Sequence, residues 1–201
     1  QEYGIRYLEQ PPYEVLYTNW ISYVEIRRLK RIEEMVELYY NSGQFTNTLP
    51  YLEKAFPGAF AMYEALADYY QEKGYFTNSP ARAYRYQILL EFATQQDPEN
   101  SERYRELLTY DMYLRENLKS RPGFAAEISE EEKQDIRKFY QAEEQERRYL
   151  PAYAEYDWKQ LSRMTHLEPF RYPEPHYVLF DYQERNPLNY EAKVRVIPQP
   201  L

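Results

Sequence analysis

Apolar residues keep helical spacing from Ser22 to about Tyr149, and after Pro151 they fall into short runs rich in β-branched and aromatic residues. That change of period constrains the fold more than any other feature. It predicts an α+β chain, mostly α, with a multi-helix array followed by a small C-terminal antiparallel β-sheet. Residues 1–150 form the helical portion, with an extended segment at 1–21 and about six helices after it. Residues 151–201 form a small β portion that packs on those helices. Together they read as one structural domain. Its first residue is Gln1 rather than Met, as expected of a piece excised from a larger protein.

The helix signals are local. Pro11-Pro12 disfavours helix ahead of it and keeps the N-terminal segment extended. Ser22 and Glu25 have capping-box spacing, Ile21 and Ile26 that of a hydrophobic staple. Ile26, Leu29, Ile32, Met35, Val36 and Tyr39 then share one face, and Gly43 supplies a left-handed stop. A short helix is expected near Thr48–Phe56. Another starts near Pro57-Gly58, with Phe60, Tyr63, Leu66 and Tyr70 on one side. Ser79-Pro80 reads as N-cap and first turn of a helix that is apolar around much of its circumference, hence central. Asp97-Pro98 opens a helix running to about Lys119, and Ser129 with Glu132 caps one ending near Tyr149. Tyr39-Tyr40, Gly43 and Phe45-Thr46-Asn47-Thr48 recur as Tyr69-Tyr70, Gly74 and Phe76-Thr77-Asn78-Ser79, a reused turn of helix end, glycine, buried Phe and polar N-cap.

Strands are expected at Thr165–Tyr172, His176–Tyr182 and Ala192–Ile197, joined by proline-rich turns. In the middle strand Val178, Phe180 and Tyr182 alternate against Tyr177, Leu179 and Asp181. Three strands cannot stand alone in water, so this sheet must be covered.

Composition removes several function classes. The chain has no cysteine, hence no disulfide, thiol nucleophile or Cys-ligated cluster of its own. A net charge of −8, with neither half basic, argues against nucleic acid as a partner. No apolar run is long enough to span a membrane and no leader is legible, so a cytoplasmic domain is expected. Tyrosine is the outlier at 25 residues. Such residues suit half-buried helix faces or an amphipathic contact surface.

Four candidates for chemistry remain. His166 and His176, with Glu168 and Asp181 nearby in sequence, could make a carboxylate-supported histidine or a metal site, against the plainer reading of hydrogen-bonded sheet histidines. Asp111 stands on the apolar stripe Tyr104, Leu107, Leu108, Leu114 and Leu118. It must find a structural partner, such as a tyrosine hydroxyl or a helix terminus, or else face an active-site mouth. Arg27, Arg28, Lys30 and Arg31 are the densest basic cluster. Lys30–Glu34 spacing favours a solvated face over a phosphate or an acidic neighbour. No phosphate loop, nucleophile elbow or paired-carboxylate spacing is present, and no catalytic, cofactor-binding or metal residue is assigned.

The PPYEVL run at 11–16, RLKRIEEMVELYYNSGQF at 28–45 and YVLFDYQERNPL at 177–188 carry a resemblance across most of the chain. It is similar to the domain following the radical SAM core in cobalamin-binding radical SAM proteins of anaerobic bacteria. The resemblance implies a parent with an N-terminal cobalamin-binding domain and a barrel whose three-cysteine loop holds a [4Fe–4S] cluster and S-adenosylmethionine. Those domains would be this chain's partners, and it contains neither. The expected function is a non-catalytic accessory domain that caps the barrel and shapes or shields the substrate site. The alternative is a stand-alone helical interaction module with a tyrosine-rich binding face.

Overall fold

The computed structural model describes residues 3–198. Residues 1, 2 and 199–201, at the outer ends of the extended segment and of the β portion, lie outside the described residues. The fold is α+β and mostly α.

The N-terminal segment is a ribbon, β1 (Arg6–Tyr7) paired antiparallel with β2 (Val15–Tyr17) across a bulge. Gly4 is required there: its φ is +56°, and a Cβ would stand 2.0 Å from Asn19 Oδ1. Helix α1 (Tyr23–Met35) starts on the Ser22–Glu25 capping box. It runs into a wide π-turn at Val36–Asn41, which places Tyr39 in the core and Tyr40 in solvent. Helix α2 (Thr48–Leu52) is short, and α3 (Ala59–Lys73) ends on left-handed Gly74. Then come α4 (Tyr75–Asn78), α5 (Arg82–Gln96), α6 (Ser101–Arg115) and α7 (Glu130–Glu146), the last opened by the Ser129–Glu132 capping box.

The C-terminal portion is not purely β. Helix α8 (Trp158–Met164), begun by an Asp157–Gln160 capping box, precedes β3 (Thr165–Phe170), β4 (His176–Arg185) and β5 (Ala192–Ile197). The order is β3-β4-β5, all antiparallel. Along β3 and β4 both faces are covered, while Val194 and Val196 of β5 stay exposed. Leu167, Leu179 and Ile197 pack with Phe139, Tyr140 and Leu161 of α7 and α8. Val178, Phe180 and Ala192 pack with Tyr113 and Leu114 of α6. The predicted alternation along β4 therefore holds, with each parity meeting its own cover.

Helix α6 joins the two halves. Tyr104, Leu108 and Met112 sit in the core shared by α1, α2, α3 and α5, while Tyr113 and Leu114 reach the sheet. Helix α5 is central as expected, with Ile88, Leu89 and Phe92 buried.

Several local expectations are corrected. Leu29 is 45 % exposed, because α1 meets α3 along Arg28, Arg31, Ile32 and Met35, a stripe about 110° from Leu29 at helical spacing. Phe60 is also exposed. Ser79 is not an N-cap: it is left-handed at φ 41° and closes α4, while α5 begins after Ala81. The second copy of the repeated turn thus keeps its helix end and glycine, loses its N-cap, and has Phe76 half-buried where Phe45 is fully buried. Helix α6 also stops early, at Arg115 rather than about Lys119.

Candidate functional site

The carboxylates flagged by sequence sit in three different places. Asp111, on α6, is fully buried and faces the start of α2. Oδ1 accepts from Asn47 N at 3.0 Å and Asn47 Nδ2 at 2.8 Å. Oδ2 accepts from Thr48 N at 2.9 Å and Thr48 Oγ1 at 2.6 Å. Burial pushes this carboxyl above its ordinary range, and the donors of Thr48 and Asn47 pull it back. Asn47 itself makes no cap bond to its own helix, so α2 is capped by a side chain 63 residues away. Of the two readings of Asp111, the geometry matches the structural bond to a neighbouring helix terminus.

His166 and Glu168 are two apart on β3 and so share a face. His166 Nε2 lies 2.9 Å from Glu168 Oε2, and its ring stacks on Tyr113 with centroids 3.7 Å apart. Glu168 is buried and is also bonded by Arg121, whose other arm holds the Ala126 carbonyl. The cluster is a carboxylate-supported histidine, and its most direct effect is to fasten the connection from α6 to α7 onto the sheet. Replacing Arg121 by Met leaves the Glu168 charge buried beside a histidine alone. Chemical denaturation of that variant should show a loss of roughly 3 kcal/mol. An unchanged denaturation midpoint would mean that Glu168 needs no ion pair.

Asp181 does not join His166. It pairs across the ladder with Thr165, one residue out of step, and therefore projects to the opposite face. There it accepts from the Tyr153 hydroxyl. His176 pairs with Phe170 while His166 pairs with Phe180, four registers apart, or roughly 13 Å along the strands. The two histidines cannot share a metal ion. Among the described residues no group of three or more His, Cys, Asp or Glu side chains is placed to hold one.

Three of the four residues of the basic cluster are committed within the chain. Arg28 pairs with Glu64 of α3, Lys30 with Glu14 of the ribbon, and Arg31 bonds Gln71 at 3.1 Å. Lys30 reaches back to Glu14 rather than forward to Glu34, which pins the ribbon against α1. Sequence reasoning missed two buried acids, Glu106 and Glu143. Glu106 accepts from the amides of Arg171 and Tyr172, and Glu143 from those of Tyr149 and Leu150. Their only sequence signal is an acidic residue on a buried helix stripe, the signal that singled out Asp111.

The surface shows one concentration of apolar side chains. Among the described residues twenty large apolar side chains remain exposed, and eleven of them lie between Tyr3 and Leu29. Trp20 is 69 % exposed, Val24 74 % and Tyr13 62 %. Trp20 packs against Tyr3, with ring centroids 5.8 Å apart. Lone exposed apolar residues are ordinary on proteins, and a run of this density is not.

A family model described as "Protein of unknown function (DUF4080)" matches residues 1–186. The chain belongs to the DUF4080 family. No curated protein and no solved structure matches it. The DUF4080 match takes in the ribbon, all eight helices, β3 and β4, and stops short of β5. No helix of the described DUF4080 residues is long and apolar enough to cross a membrane.

Proposed function

We propose that this DUF4080 chain is a non-catalytic accessory domain, which packs through its ribbon and the start of α1 on a larger, cofactor-bearing portion of the same polypeptide. The observation that carries the reading is the exposed apolar surface between Tyr3 and Leu29. Burying it would remove several aromatic rings from water, each contributing on the order of 2 kcal/mol. Asp111, Glu106 and Glu143 lend further support, because each is engaged by backbone amides of its own fold. The resemblance to cobalamin-binding radical SAM proteins gives the partner: a cobalamin-binding domain and a barrel with its [4Fe–4S] cluster and S-adenosylmethionine. In that setting the domain covers the barrel's open end and keeps water from the substrate site.

The partner portion and this chain, supplied as separate pieces, should elute together on size exclusion. Trp20→Glu combined with Val24→Glu should abolish co-elution while leaving the isolated chain's melting temperature unchanged, since both side chains are exposed. Separate elution of the unmodified pieces would end the proposal. A second reading rests on the same surface, in which five of the eleven side chains are tyrosine. Tyrosine gives large contact area at low entropic cost, as an interaction module for a separate protein, peptide or glycan requires. That reading gains if the two pieces ignore each other.

A further inference from the structure

A cleft of about 200 Å³ opens between α6, the turn leading into α2, and the β3–β4 turn. Tyr110, Phe170 and Tyr172 give it aromatic walls, and Arg103, Glu106 and His176 bring charge or hydrogen-bonding groups to it. Most of these groups are already engaged. Both oxygens of Glu106 accept backbone amides, from Arg171 at 2.8 Å and Tyr172 at 3.1 Å. The carboxylate thereby fixes the turn that carries Tyr172. His176 Nδ1 lies 2.7 Å from the Glu174 carbonyl oxygen.

Arg103 differs. It is half-buried, and its guanidinium lies over two rings, 5.3 Å from the Tyr172 centroid and 5.8 Å from that of Tyr51. Among the described residues it has neither a hydrogen-bond acceptor nor a carboxylate partner at bonding distance. Its neighbours on α6 do: Arg105 donates to the Phe124 carbonyl at 2.5 Å, and Arg115 to Glu191 at 3.1 Å. Ring contacts orient a guanidinium without using its N–H groups. A planar fork held in this way, with its donors free, matches the two oxygens of a carboxylate or phosphate.

We infer that this cleft binds a small oxyanion, a carboxylate or phosphate monoester on a compact apolar body, with Arg103 as its bidentate anchor. The volume admits a body about the size of one aromatic ring, which Tyr110 and Phe170 would flank. Glu106 in the same cleft disfavours a ligand of higher charge. This inference stands whether or not the chain is an accessory domain.

The intact chain should be titrated with benzoate and phenyl phosphate, with benzyl alcohol and benzylammonium as uncharged and cationic matches, while ring resonances are followed by NMR. At least one oxyanion should saturate, with Kd near or below about 1 mM, and shift Tyr110, Phe170 and Tyr172. Which one saturates tells carboxylate from phosphate. Arg103→Gln should weaken it at least about tenfold, a loss near 1.4 kcal/mol. Should that variant fold poorly, the unmodified chain's shift map decides alone. Saturation by neither oxyanion, equal binding of benzylammonium or benzyl alcohol, shifts centred elsewhere, or undiminished binding by a folded Arg103→Gln would each overturn the inference.

Discussion

Raising the pH through 10 and beyond should unfold this chain cooperatively, with tyrosine ionisation and loss of helical circular dichroism occurring together. Tyr39, Tyr86, Tyr113 and Tyr140 are each no more than 4 % exposed. Burial raises all four phenols above their ordinary range of 10. Tyr63 is pushed up to about 12 by burial, with the neighbouring Tyr40 and Glu53 adding to it. The sign follows from proton counts. Below pH 10 folded and unfolded chains both hold these protons, and the stability is fully present. Above it the unfolded chain releases them first, so stability falls until the folded values are passed. Each buried phenol then contributes a loss of about 1.4 kcal/mol per pH unit, and the four together about 5 kcal/mol. Against a typical net stability of about 5–15 kcal/mol, the transition should come within roughly two pH units of 10. Helical signal that persists while tyrosinate absorbance reaches its full amplitude would disprove this account.

Replacing Asp111 by Ala should cost roughly 4 kcal/mol in chemical denaturation, because four donors at the start of α2 lose their acceptor in a dry site. Asp111→Asn should cost nearly as much, since the amide NH2 meets donors where the carboxylate met them with lone pairs. Either variant should free α2 and raise amide exchange in residues 47–52 ahead of the rest of the chain. If Asp111→Asn is as stable as the parent, the tertiary cap contributes nothing and the other reading of Asp111, a group facing an active-site mouth, regains its place.

The capping boxes at Ser22 and Ser129, the stops at Gly43 and Gly74, and the three C-terminal strands were legible because each depends on residues a few positions apart. Helix α8 was missed even though Asp157 and Gln160 carry a cap signal, since about two turns of helix have little periodicity to read. Of the candidate site, sequence identified Asp111 as a polar residue on an apolar stripe, and His166 with Glu168 as near neighbours on one strand. It paired Asp181 with the histidines, and the ladder register put it on the other side.

Local chemistry in the chain decided where α1 and α7 begin and which parity of β4 faces which cover, because those signals act within one turn or one pleat. Only the folded chain decided that Asp111 caps α2, that Lys30 holds the ribbon through Glu14, that Arg103 lies over two rings and that apolar side chains gather outside between Tyr3 and Leu29. Those outcomes depend on which surfaces meet across separations of tens of residues. A hydrogen bond or a buried face has no local signature until its partner arrives.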